Sequence, residues 1–82
     1  MKKLDVKALA AGLGVSWGFG MLFIGWASIF GWGAEFVDAM SSVYIGFAPT
    51  FLGGIIGGVL GFVDGAIGGA IIALVYNVVA KK

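Results

Sequence analysis

Two long apolar stretches constrain this chain more than any other feature of its sequence. They run from about residue 8 to residue 30 and from about residue 51 to residue 80. A helix needs about 20 apolar residues to cross the hydrocarbon core of a bilayer. Backbone polar groups in lipid must be satisfied within the segment itself, so we expect both stretches to be helices. With 61% hydrophobic and 11% charged residues, a chain this small cannot build a polar surface around a core.

The first stretch could also be read as a cleaved signal peptide, because Lys2 and Lys3 resemble the basic start of one. The apolar core of a signal peptide usually has about 7–15 residues. This stretch is longer, so we expect it to be retained as a helix. The sequence therefore predicts an all-α membrane protein, a single domain over residues 1–82 with two transmembrane helices in a hairpin.

The lysines predict the orientation of this hairpin. All the positive charges lie near the two ends of the chain, at Lys2, Lys3, Lys7, Lys81 and Lys82. The connection, residues 31–50, has no Lys and carries Glu35 and Asp38. By the positive-inside rule, both termini are expected in the cytoplasm and the connection outside.

The connection has a helical pattern of its own. Its apolar residues recur at spacings of three or four, at Trp32, Phe36, Met40, Val43 and Phe47. Glu35, Asp38 and Ser42 fall on another side. The pattern predicts a short amphipathic helix over about residues 33–44 in the outer interface, with an irregular loop as the alternative. An aromatic belt is expected at the same level, formed by Trp26, Phe30, Trp32, Tyr44 and Phe47.

Glycine recurs at every fourth position of the second stretch. The glycines in register are Gly53, Gly57, Gly61, Gly65 and Gly69, and Gly54, Gly58 and Gly68 accompany them. At about 100° per residue, all eight fall within an arc of about 160°. Small residues let two helix backbones approach closely, and the Gly-x-x-x-Gly spacing fits a right-handed crossing. The sequence therefore predicts a helix-packing face.

The first stretch offers a narrower stripe for that face. Ala11, Gly14, Gly18 and Gly25 lie within about 60° of one another around the helix. One helix is expected to cover only part of an arc of about 160°. We therefore expect the remainder to contact other copies of the chain, which predicts a homo-oligomer.

Asp64 is the only charged residue inside the second stretch, and it falls on the glycine face between Gly53 and Gly57. A carboxylate at the bilayer centre costs about 2.5–3.5 kcal/mol, and such residues usually mark a pathway. Three interpretations remain open. Asp64 lines a pore or binds an ion, it forms a hydrogen bond between helices, or it caps a local break in the backbone. The first is favoured.

The composition excludes several kinds of chemistry. The chain has no Cys, His or Arg, so thiol, imidazole and disulfide chemistry are absent. The glycine run does not end in the Gly-Lys-Ser/Thr of a phosphate-binding loop. No nucleophile lies beside a base. We therefore expect no enzyme activity, no cofactor, no metal and no nucleic-acid partner. The expected partners are the lipid bilayer and other copies of the chain, with a larger membrane protein as an alternative.

The segment GFVDGAIGGAIIALVYN, residues 61–77, resembles the C-terminal signature of small prokaryotic membrane proteins described as bacteriophage holins. Trp17 with Gly18, and FLGGIIGG at residues 51–58, are similar too. Holins oligomerise and form lesions in the cytoplasmic membrane. The resemblance implies a pore-forming protein of the prokaryotic cytoplasmic membrane that crosses it more than once.

The chain also resembles the ring-forming c subunit of rotary ATP synthases, a hairpin with glycine repeats and a mid-membrane carboxylate, here Asp64. Two departures weaken this resemblance. The dense glycine repeat lies on the second helix rather than the first, and the connection is acidic and aromatic without any Arg. Three functions therefore stay open: an oligomeric pore, which is favoured, an accessory membrane subunit that docks through its glycine face, and an ion-carrying ring.

Overall fold

The computed structural model describes residues 3–80. Helix α1 spans Val6–Ala27 and continues into a 3-10 turn, Ser28–Phe30. Helix α2 spans Ala34–Met40, and helix α3 spans Phe51–Ala80. No strand occurs among these residues, so the prediction of an all-α protein is confirmed. By length and composition, Val6–Phe30 and Phe51–Ala80 could each cross a membrane.

Local hydrogen bonds set where the long helices begin. The carboxylate of Asp5 caps α1 by accepting a hydrogen bond from the backbone N–H of Ala8 at 3.0 Å. The hydroxyl of Thr50 accepts one from the N–H of Gly53 at 2.8 Å and so caps α3. Asp and Thr both favour this position, because their side chains satisfy N–H groups that have no partner in the first turn.

Helices α1 and α3 lie side by side and antiparallel. Gly25, near the end of α1, meets Gly54 near the start of α3, and Gly69 meets Leu9 and Ala10. The backbones touch along this line. A Cβ placed on Gly18 would lie 2.8 Å from the carbonyl oxygen of Gly58. The glycines are therefore what permits this approach, as their spacing predicts.

The expectation that much of the glycine face stays uncovered is wrong. Seven of the eight glycines on α3 meet other parts of the same chain. Helix α1 covers Gly54, Gly58, Gly61, Gly65 and Gly69, whereas Ala48 and Phe47 of the connection cover Gly53 and Gly57. Only Gly68 has open space around it. The prediction considered only the first helix as a partner for the glycine face, whereas the connection also packs against it.

The connection folds back along the two long helices rather than lying apart from them. Val37, Tyr44 and Phe47 are 1%, 4% and 2% exposed and form a core with Met21 of α1. In the predicted apolar stripe, Phe36 and Val43 are exposed, whereas Phe47 is buried in this core. Tyr44 and Phe47 were expected in the aromatic belt, but both are buried against the helices and so are not part of it.

Helix α2 is also shorter than the predicted range of about residues 33–44, since it ends at Met40. The hydroxyls of Ser41 and Ser42 donate hydrogen bonds to the carbonyl oxygens of Asp38 and Ala39. Such local bonds compete with the continuation of a helix. Turns follow as far as Gly46, whose φ of +97° suits glycine.

Candidate functional site

The candidate site is a polar cluster formed by Trp17 of α1, Tyr44 of the connection and Asp64 of α3. Asp64 lies near the middle of α3, and its side chain is exposed. Its Oδ2 atom accepts a hydrogen bond of 2.6 Å from the hydroxyl of Tyr44. The same hydroxyl accepts a hydrogen bond of 2.7 Å from Nε1 of Trp17 on α1. The three side chains thus form a continuous hydrogen-bonded chain from α1 through the connection to α3.

The Tyr44 hydroxyl is held in its protonated form. Burial raises the pKa of Tyr44 above its ordinary value of 10.0, and the hydrogen bond to Asp64 raises it further. The hydrogen bond from Trp17 acts in the opposite direction. Because the neutral hydroxyl persists across the physiological range, Tyr44 can always donate to Asp64. At 2.6 Å the bond has the length of a strong one.

Phe47 fixes the connection so that Tyr44 reaches Asp64. Its ring sits in a slot whose two walls are Gly25 of α1 and Gly57 of α3. A Cβ on Gly25 would approach the ring to 2.9 Å, and one on Gly57 would come closer still. These two glycines were predicted to pack helix against helix, but they also make room for an aromatic side chain of the connection.

An open apolar groove runs along the opposite seam between α1 and α3. It has a volume of about 550 Å³. Gly14, Gly18 and Gly58 line it, and Phe19 and Phe62 are among the aromatic residues beside them. One seam of the helix pair is therefore closed by the connection and carries the polar cluster, while the other is open and has no charged side chain in its lining.

Further contacts between α1 and α3, or the residues beside them, hold each end of the helix pair. At the end near the connection, Trp26 stacks on Phe51 with ring centroids 5.0 Å apart and donates a hydrogen bond of 2.9 Å to its carbonyl oxygen. At the other end, the amide of Asn77 accepts from the N–H of Leu4 at 2.7 Å and donates to its carbonyl oxygen at 2.9 Å. Both ends are thus held by polar as well as apolar contacts.

The residues predicted for the site and for the helix-packing face differ in their exposure. Asp64 is on the surface beside the connection, whereas Gly53, Gly57, Gly61 and Gly69 are buried and Gly65 is half-buried. Gly14, Gly18 and Gly25 of α1 are buried. Lys2, Lys81 and Lys82 lie outside the described residues.

Trp17 and Tyr44 were not identified as site residues from the sequence. A signal for Tyr44 was present, because Val37, Met40, Tyr44 and Phe47 recur at spacings of three and four. For Trp17 we find no such signal.

Chemically, the cluster offers a single carboxylate with one engaged oxygen. Among the described residues, the carboxylate of Asp64 has no hydrogen bond other than that from Tyr44. No group of three acidic residues that could hold a metal ion occurs in residues 3–80. The cluster can therefore accept another hydrogen bond or attract a cation.

Comparison of the chain with protein-family models, with curated proteins and with solved structures finds no match.

Proposed function

We propose that this chain is an integral membrane protein that assembles into a pore or ion-permeable oligomer with Asp64 beside the permeable path. In this proposal α1 and α3 cross the bilayer as a hairpin, and α2 lies at the outer interface. The observation that supports it best is the position of Asp64. This carboxylate is exposed on the surface of the folded chain, near the middle of a 30-residue apolar helix.

An exposed carboxylate at that depth is costly when it faces lipid. The cost is about 2.5–3.5 kcal/mol. One hydrogen bond from Tyr44 leaves the second carboxylate oxygen without a donor among the described residues. The free energy of the Asp64 side chain is therefore lowest where it turns away from lipid, either toward another copy of the chain or toward water inside an assembly.

The rest of the surface supports a membrane location. Large apolar side chains are exposed along both long helices, including Phe19, Val59 and Ile71. Soluble monomers rarely expose so much contiguous apolar surface. Where the connection begins, Phe30 and Trp32 are exposed at 90% and 63%, as expected of aromatic side chains at a membrane interface.

Assembly between copies would use small residues other than the predicted ones. Most of the glycine face packs against other parts of the same chain. The width of that face is therefore no longer an argument for an oligomer. Gly12 and Gly20 of α1, with nothing near their Cβ positions, flank the exposed Ser16 at spacings of four residues. Gly68, one turn after Asp64 on α3, is open as well. Helices pack closely through stripes of this kind.

Flux through liposomes tests the proposal. The purified protein is expected to make them permeable to monovalent ions. Asp64→Asn is expected to lower the flux by about tenfold, since a neutral side chain attracts cations less strongly. Asp38→Asn removes the same charge from an exposed position in the connection and should leave the flux nearly unchanged. Unmodified protein that conducts nothing, or equal effects of both substitutions, would contradict the proposal.

A second candidate is an accessory subunit of a larger membrane protein. The groove of about 550 Å³ between Phe19 and Phe62 favours it, because a helix from another protein could pack there. This candidate predicts that the chain purifies from its own membrane together with a larger partner. A stable homo-oligomer that forms without a partner would count against it.

A further inference from the structure

The middle of the connection is a compact unit bounded by glycines. We name residues 34–45 the cap segment. It consists of α2 and the turns that follow, and it lies between Gly33 and Gly46, whose φ angles are +72° and +97°. Few other residues adopt such angles easily, and small residues often absorb the backbone change at a hinge. Beyond the second glycine, Phe47 is fixed in its slot between α1 and α3.

The cap segment is attached to the long helices by few polar contacts. Among the described residues, both hydrogen bonds that cross from it to α1 or α3 meet at the hydroxyl of Tyr44. Its other hydrogen bonds stay within residues 31–47. Apolar contacts supply the remaining attachment, through Val37, which is buried, and Met40, which is half-buried.

The cap segment covers the part of α3 that leads to Asp64. Leu60, one turn before Asp64, is half-buried and packs against the core that contains Val37 and Tyr44. Movement of the cap segment about its glycines would therefore uncover Leu60 and free the carboxylate of Asp64 together. The contact that holds the segment closed uses the same carboxylate.

We propose that the cap segment is a latched lid on the outer side of the protein, with the hydrogen bond from Tyr44 to Asp64 as its latch. Opening the latch lets the outer aqueous phase reach Leu60 and frees the oxygen of Asp64 that Tyr44 engages. This proposal rests on the membrane orientation of the proposed function, and it adds a gate to it. A donor or cation that reaches Asp64 competes with Tyr44 for the carboxylate, so occupation of the path and opening of the lid are coupled.

Cysteine labelling tests the latch, because the chain has no Cys of its own. Leu60→Cys is introduced, and a membrane-impermeant maleimide is added from the outer side of membranes that contain the protein. With Tyr44 present, labelling is expected to be slow. Adding Tyr44→Phe removes the hydroxyl and keeps the ring. We expect this to speed labelling about tenfold, which corresponds to about 1.4 kcal/mol.

A second pair of variants distinguishes loss of the latch from a general failure of the protein to fold. Asp64→Asn keeps an oxygen that accepts from Tyr44, so the labelling of Leu60→Cys should change by less than about threefold. Asp64→Leu has no acceptor and should match Tyr44→Phe. The matched control is Phe30→Cys, an exposed position beside the connection but outside the cap segment, whose labelling should not respond to Tyr44→Phe.

The labelling results test the latch independently of the proposed pore. If Leu60→Cys reacts at the same rate with and without Tyr44→Phe, or if Asp64→Leu leaves its rate unchanged, the latch is excluded. Labelling needs no ion flux. A protein that shows the predicted rates but conducts no ions would keep the latch and remove the proposed pore.

Discussion

The hydroxyl of Tyr44 donates a 2.6 Å hydrogen bond to Oδ2 of Asp64, and this bond joins the connection to the middle of α3. It brings together two residues that are 20 positions apart in sequence. The contact gives the only acidic residue of α3 a partner inside the chain and leaves that residue exposed on its other side. A buried hydroxyl and an exposed carboxylate thus share one site between the connection and the helix pair.

Trp17→Phe should weaken the fold through this cluster. The substitution keeps an aromatic ring on α1 but removes the N–H that donates to the Tyr44 hydroxyl. One such hydrogen bond contributes about 1 kcal/mol to the free energy of unfolding. Titration with a denaturing detergent measures the loss. Trp32→Phe is the matched control, because Trp32 is exposed and its edge-to-face contact with the ring of Phe23 can persist. Equal losses would contradict the role given to Trp17.

Gly18→Ala should destabilise the helix pair, whereas Gly20→Ala should not. The new Cβ on residue 18 would meet the backbone of α3, at 2.8 Å from the carbonyl oxygen of Gly58. Overpacking of this kind costs about 1–3 kcal/mol. Gly20 has open space around it, and alanine favours a helix over glycine by about 1 kcal/mol. Thermal unfolding in a detergent that keeps the chain monomeric compares the two, and a similar loss for both would refute the packing described for Gly18.

Stability should fall at alkaline pH because of Tyr44. The folded chain holds the pKa of this residue above its ordinary value of 10.0, chiefly through burial. The folded state therefore favours the neutral hydroxyl. Its contribution is fully present below the unfolded pKa and is lost as the pH rises through the folded pKa. Unfolding followed against pH should show this loss in the unmodified protein and a smaller one after Tyr44→Phe. An identical pH dependence in both would contradict it.

Asn77→Ala should loosen the start of the chain without disturbing the polar cluster. The Asn77 amide makes two hydrogen bonds with the backbone of Leu4, each worth about 0.5–1.5 kcal/mol. Hydrogen exchange at the amide of Leu4 should therefore become faster, while the amide of Tyr44 keeps its rate. Val78→Ala, at an exposed neighbouring position, serves as the control and should change neither rate.

The long helices were predictable because their physical requirement is local. An apolar run long enough to cross a bilayer has to satisfy its own backbone, and the caps at Asp5 and Thr50 act within three residues of their own positions. The glycine face was also readable from spacing, although the pattern gave no information on which parts of the chain would cover it.

The connection was harder, because two stripes with similar spacing compete in it. One passes through Phe36 and Val43, the other through Val37 and Tyr44, and only packing against Met21 of α1 decides between them. The contact between Tyr44 and Asp64 depends on that choice, so it could not be predicted before the fold was known.

Cross-linking between copies tests most directly whether the Asp64 face meets other copies in an assembly. Gly68 is open and lies one turn after Asp64, whereas Val59 is exposed beside the groove on the other seam. Each is replaced by Cys in a chain that has none of its own, and disulfide formation is followed in the native membrane. The account predicts disulfide-linked dimers with Gly68→Cys and few with Val59→Cys. Dimers with Val59→Cys alone, or with neither variant, would contradict it.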